Sequence, residues 1–363
     1  MSIWKLHGGK KWDGQKFKQN DILWYKVEND IDREYHLSPE DIICGGLVDM
    51  HCHLWAKRIH QKMGVGVGMI VSSGVIACID AGSFGYLEWP HADRYWQATS
   101  PIPTRSYLNI REEGLREWPC DKPMLPAEIP VDKVVEVAKA GKEKSRLLGL
   151  KVHLGWGKDK ETDAGWLDVA RAISQKSGLR VAVHITNSYL TIGEILSYLK
   201  PDDVIVHVYQ GKGCAPLEED GSYSQALIDA KARGFIMDGA VGMNHHSWKV
   251  FNAAQAKGFT ADIVTTDCVG VSWQDGGPFK DLPHVISAFL NAGMPLDTVM
   301  KAVTTTPAKI MGIPYSPEES LLVLKRKEGP ITYLDALGEA LEGNFEYQAN
   351  LFALNGVPVV CKL

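Results

Sequence analysis

The sequence predicts an α/β protein: a (β/α)8 TIM barrel over residues 45–315, with a small β-sandwich domain assembled from residues 1–44 and 316–363. Three observations lead there. Eight short apolar runs rich in Val and Ile alternate with longer segments of helical period, and near-continuous hydrophobic strands belong to parallel sheets covered on both faces. The alternating stretch has the size of such a barrel, about 250 residues. The two ends instead carry short mixed runs, such as DILWYKV and FEYQANLFALNGVPVVCKL. A doubly wound open sheet fits the alternation too, but no GxGxxG follows the first strand, and GVGVG at 64–68 lacks that spacing.

Taken in order, the expected barrel strands are 46–53, 75–80, 105–110, 147–154, 180–185, 203–208, 235–240 and 262–267. Between them, Val134, Val137, Ala138 and Leu147 suggest one apolar stripe over 131–148. Asp163 is the expected cap of a helix running through Ile173 and stopping at Gly178. Thr191 followed by Glu194 has capping-box spacing. Segments 222–233, 245–257 and 282–292 are each closed by a glycine, Gly234, Gly258 and Gly293. Near the end, Asn355-Gly356 between apolar runs predicts a two-residue hairpin turn. LDALGEALEG, within the ambiguous stretch 316–344, reads as a short helix. WPHADRYW at 89–96 reads as an aromatic surface or interface helix.

Composition narrows the function. The 363 residues hold 39 Lys and Arg against 44 Asp and Glu, a net charge of −5, with 45% hydrophobic and 23% charged residues. That is ordinary for a folded soluble chain, and it lacks the basic footprint of a nucleic-acid binder. No apolar run approaches the ~18 residues of a membrane helix, and MSIWKLHGGKKWDG has no signal-peptide core. Seven cysteines, an odd number without a CxxC pair, fit a reducing compartment. The expectation is a cytoplasmic protein acting on a small molecule, with no nucleic-acid or membrane partner.

The ionisable residues fall at strand ends. His51 and His53 close the first strand and, being alternate residues, share a face with Asp49. Lys151 lies inside the apolar fourth strand, His184 ends the fifth, His207 is near the end of the sixth, and Asp267 ends the eighth. In a barrel the C-terminal strand ends build the active site, so these groups converge on one rim. Imidazoles and a carboxylate without thiolates suit a zinc-like catalytic ion with open positions. A buried ammonium beside cations is strongly disfavoured, so Lys151 is expected neutral or chemically modified.

GGLVDMHCH resembles the PGxxDxHxH opening of the amidohydrolase superfamily. Lys151, His184, His207 and Asp267 follow in the order used by its binuclear, dihydroorotase-like members. Residues 282–313, LPHVISAFLNAGMPLDTVMKAVTTTPAKIMGI, resemble the corresponding helices, including the TxxPA turn at 304–308. Within the superfamily the chain looks most like the amidohydrolase/deacetylase-type proteins. The resemblance implies two divalent metal ions, of zinc type. His51, His53 and Asp267 would hold the more buried one and His184 and His207 the other, with carboxylated Lys151 bridging both. It also implies hydrolysis of an amide or ester of a small acylated compound by a metal-bridging hydroxide, with Asp267 as the catalytic acid–base. Asp49 would orient a histidine. Such barrels are commonly homo-oligomers.

Departures bear on substrate. The Arg that dihydroorotase-like enzymes place two residues after HxH is missing from His53-Leu54-Trp55-Ala56, which argues against dihydroorotase itself. Cys268-Val269-Gly270 follows Asp267 in place of an APH-type run. The substrate-binding candidates are His153, Asn109, Arg111, His245 and Cys268. Asp80, Trp156 and Tyr209 are further rim residues, and of the adjacent pair His245-His246 at most one should reach the site. Arg111 also has a surface reading, and His284 a structural one. Two other functions fit the same residues: opening of a cyclic amide or lactone, and a non-catalytic metal-binding role.

Overall fold

The structure of the protein is a computed structural model that describes residues 1–54, 64–95, 97–112, 114–117, 124–157, 159–274 and 279–363. Seven parallel strands form one curled sheet in strict chain order: Leu47–Cys52, Val75–Asp80, Thr104–Asn109, Leu147–His153, Arg180–His184, Val204–Val206 and Ile236–Asp238. The expected eighth strand is extended chain rather than a regular strand. It bridges Ile263 to Asp238 at one edge and Cys268 to Cys52 at the other, and His53 N–H donates to the Cys268 carbonyl at 3.0 Å. Both edges of the sheet are thereby joined, giving the curled α/β architecture that the apolar runs predict.

Helices cover the outside. Val131–Glu143 buries Val134, Val135 and Ala138, ending short of the 148 expected because 147 onward is strand. The next helix, Lys160–Ser177, is capped by Asp159, which accepts from Thr162 N–H, and ends at left-handed Gly178. Asp163 is therefore not the cap. It is fully buried, and its carboxylate accepts from Gly155 N–H, Ser188 Oγ and Tyr189 N–H, tying together the loops after the fourth and fifth barrel strands. The Thr191–Glu194 capping box is present at the head of Ile192–Tyr198. Helices Gln225–Ala232, Trp248–Ala256 and Leu282–Asn291 stop just before Gly234, Gly258 and Gly293. Trp89 of helix Trp89–Tyr95 is buried, which overturns the surface reading of that tryptophan; Trp96 lies outside the described residues.

The chain ends pair. Ile42–Cys44 is antiparallel to Leu321–Leu334 in a six-stranded sheet. A three-stranded sheet centred on Ser2–His7 shares a hydrophobic cluster with it, including Trp4, Leu6, Val27, Ile43, Val323 and Leu351. LDALGEALEG is not a helix but the bend of the long hairpin Leu321–Leu334/Ala340–Leu354. Asp335 makes the bend by accepting from Leu337 and Glu339 N–H, and Asn355-Gly356 makes the next turn. The bend reaches the barrel: Asp335 also accepts from Trp248 N–H, and Ala336 N–H donates to the His246 carbonyl. No helix of the described residues is long and apolar enough to cross a membrane.

Candidate metal centre

Two groups of side chains meet at the C-terminal end of the parallel sheet. In the first, His51, His53 and Asp267 present donor atoms all within 4.8 Å of one another; in the second, His184, His207 and His245 do the same. His53 Nε2 and His51 Nε2 lie 3.0 and 3.3 Å from Asp267 Oδ1. The rings of His51 and His207, 5.2 Å apart, connect the groups. Lys151, fully buried, has its Nζ 3.4 Å from His51 Nε2.

The local backbone is specialised for this convergence. His207 and Asp267 have φ of 68° and 50°, left-handed values rare outside glycine and concentrated at functional sites. Each turns the chain just beyond its strand and points a side chain into the centre. Gly82, at φ +87°, lies where a Cβ would be 2.6 Å from that of Lys151, and a Cβ on Gly242, at φ +52°, would strike the Asp267 carboxylate. Both positions need glycine because functional side chains pass over them.

The imidazoles are held by their outer nitrogens. His51 Nδ1 faces Asp238 Oδ2 at 3.0 Å, His207 Nδ1 faces the Ala240 carbonyl at 3.0 Å, His53 Nδ1 meets Ser83 Oγ, and His245 Nδ1 meets Thr186 Oγ1. A carbonyl only accepts, so His207 carries its proton on Nδ1 and offers the Nε2 lone pair inward. This is how metal-ligating histidines are oriented. Burial holds His51, His184 and His207 well below the ordinary imidazole range, with Lys151 adding to the effect at His51 and His245 at the other two. His245 falls to about 4 for the same reason, against the pull of Asp267. Burial also lowers the Lys151 ammonium, opposed by Asp267, Asp238 and Asp80. Neutral imidazoles converging on a carboxylate are the donor set of a divalent transition ion, so the residues present fit two such ions.

Other expectations resolve differently. Asp49 orients no imidazole; it accepts from Thr266 Oγ1 at 2.7 Å and from His51 N–H. Asp238 holds the His51 ring instead, a residue the sequence reading passed over. Asp80 accepts from Leu54, Gly82 and Ser83 N–H, shaping the loop that carries Ser83. Asn109 donates to the Gly82 carbonyl and accepts from Arg111 N–H. Arg111 is buried rather than on the surface, its guanidinium 4.4 Å from the ring centroids of both Trp156 and Trp166. Cys268 is fully buried, its thiol donating to the Lys280 carbonyl, and burial pushes its pKa far up.

His153 lies at the edge of the centre, its ring stacked on Trp156 at 4.7 Å and tilted against His184 at 5.1 Å. Tyr209 is interior, accepting from Ala261 N–H, and His284 pairs with Glu346. Of the adjacent pair, His245 reaches the site, while His246 lies among Trp248, Phe251, Phe279 and Phe289. Trp55 and Ala56, where the carboxylate clamp is missing, lie outside the described residues.

No protein-family model matches the chain. A deacetylase of Brucella anthropi is 28% identical over 309 residues, covering 83% of this chain and 74% of its own length. A deacetylase of Agrobacterium fabrum is 26% identical, covering 74% of this chain and 65% of its own. Among solved structures, a dihydroorotase superposes with a TM-score of 0.82 at 21% identity, covering 98% of both chains. The resemblance to the amidohydrolase superfamily holds. An adenine deaminase superposes with a TM-score of 0.79 at 18% identity, over 97% of this chain and 98% of its own.

Proposed function

We propose that the protein is a metal-dependent hydrolase that cleaves an amide or ester of a small acylated compound, a deacylase of the deacetylase type. The observation that carries this reading is the pair of donor groups, His51/His53/Asp267 and His184/His207/His245, meeting beside buried Lys151. The deacetylase relatives support the acyl class. His51, His53 and Asp267 would hold one ion, and His184 and His207 a second, of zinc type. Lys151, whose ammonium burial lowers to about 8 so that a neutral fraction is within reach near neutral pH, is suited to take up CO2 through Nζ with loss of a proton; the carbamate so formed would bridge the two. Such an ion pair supplies Lewis acidity toward a carbonyl oxygen and water activation near neutral pH.

The chain's own residues do the rest. Asp267 takes the proton of the attacking water and delivers it to the leaving nitrogen or oxygen. Its Oδ2, 3.7 Å from His245 and away from the His51/His53 side, is the oxygen placed to do so. Asp238, Ser83 and Ala240 keep the imidazoles oriented throughout. His153 and Trp156 wall the substrate side. We read the two terminal sheets as a small β-sandwich supporting the barrel, and the chain as a cytoplasmic homo-oligomer. The six described cysteines are all free, which agrees with a reducing compartment.

The test is a screen of N-acyl amino acids and O-acyl hydroxy acids against the zinc-loaded protein. Release of the acyl acid is expected from at least one class. Turnover of cyclic amides or lactones alone would replace this reading with the ring-opening one.

A further inference from the structure

We propose that His245 is a third imidazole ligand at the second metal position. The chain would then build a three-histidine site from His184, His207 and His245 that keeps its ion whether or not Lys151 is carboxylated. The inference rests on the two-ion reading above and says how its second half is made.

The geometry treats His245 as it treats the other ligand candidates. Its donor atom lies within 4.8 Å of those of His184 and His207. Its ring stacks on that of His207 at 4.2 Å and meets that of His184 edge-on at 4.7 Å. Thr186 Oγ1 engages its Nδ1 at 3.0 Å, so Nε2 is left on the Asp267 side, 3.7 Å from Oδ2. The same outer-nitrogen tie holds His51, His53 and His207. Three described histidines outside the two groups differ: His153 Nδ1 and both nitrogens of His246 are buried without a hydrogen bond, and His284 is turned to Glu346.

The loop that carries His245 is also fixed from both sides. Gly242 takes a left-handed turn that lets the chain pass against Asp267, and beyond His245 the hairpin bend grips the His246 carbonyl and Trp248 N–H. Three neutral nitrogen donors with one position left open is the protein contribution to a catalytic zinc site. With its side chain 20% exposed against 8% for Asp267, His245 takes the solvent side of that site, where a pocket-lining residue would also sit. Only metal binding separates the two roles.

The experiment titrates metal-free wild type, His245→Ala, His245→Asp and Lys151→Met with Co2+ in CO2-depleted buffer. Equilibrium dialysis counts the ions and visible absorption reports their ligand field. Wild type is expected to bind two equivalents. His245→Ala keeps the first equivalent at wild-type affinity, which also reports an intact fold. Its second is weakened beyond the ~10–100-fold that loss of an outer-sphere partner costs, with a changed spectrum. His245→Asp, which restores a donor, recovers part of that affinity, and Lys151→Met retains both equivalents. Two equivalents with wild-type affinity and spectrum in His245→Ala, loss of both there, or loss of the second in Lys151→Met would each overturn the inference. Fewer than two equivalents in wild type that rise to two on adding bicarbonate would likewise overturn it, whereas fewer than two with bicarbonate present would contradict the two-ion reading beneath it.

Discussion

Asp267 combines a left-handed backbone, a carboxylate shared by His51 and His53, and a second oxygen turned toward His245. Asparagine keeps the shape and one donor oxygen but cannot accept a proton, so Asp267→Asn is expected to retain metal while kcat falls at least ~100-fold, the general acid–base range. Steady-state kinetics on protein of measured metal content checks this. His246 carries a different prediction. Burial among aromatic rings drops its pKa to about 3 from 6.5, so between those values the unfolded chain binds the extra proton. Its contribution therefore falls as pH drops below 6.5 and levels off below about 3, amounting to about 2 kcal/mol lost by pH 5. Urea unfolding at pH 7 and 5 should show that difference shrink by this amount in His246→Leu, whatever the substitution does at neutral pH. The strand-end His, Lys and Asp residues were legible because ionisable groups interrupt apolar runs. Asp238 breaks FIMDGA in the same way Lys151 breaks LGLKVHL, so its signal was present. Ser83 and Thr186, small hydroxyls in loops acting through another ring, leave no such mark.

At the scale of elements, the site depends on close passage of backbone under side chains. Gly82→Ala would put a methyl on the Lys151 stem and strain a φ of +87°. It should cost at least about 1–2 kcal/mol and displace the lysine, reducing turnover more than metal-free stability explains. Denaturation paired with kinetics separates the two. The hairpin bend at 335–339 makes a second prediction. Asp335 caps the helix Trp248–Ala256 from outside by accepting Trp248 N–H, so Asp335→Ala should cost roughly 1–2 kcal/mol in urea unfolding and weaken binding of the second metal equivalent. The bend was misread as a helix because LDALGEALEG has helix-forming composition. Its strand state is imposed by twelve residue pairings across the hairpin, contacts that no local window contains. Asp163 was misread as a cap for a related reason: its partners, Gly155, Ser188 and Tyr189, lie in loops brought near only by the barrel.

Over the whole molecule, a curled parallel sheet and a sheet joining both ends were legible because continuous Val/Ile runs and the Asn355-Gly356 turn are local signals. The irregularity of the eighth strand was not. Residues 262–268 bridge both edges while delivering Asp267 in a turn-like conformation, so chemistry there overrides regular pairing. Because the candidate centre draws on the first strand and on the fourth to eighth segments of the curled sheet, bound metal should stabilise that whole unit. Saturation at 100-fold above Kd is worth about 2.7 kcal/mol per site, so chelation should lower Tm and readdition restore it. The central claim, that these strand ends form a two-metal hydrolytic centre, is tested most directly by titrating zinc into the metal-free chain while following hydrolysis of an acylated substrate. Activity that rises with zinc and saturates at two equivalents per chain is the predicted result; saturation at one equivalent, or hydrolysis indifferent to zinc, would contradict it.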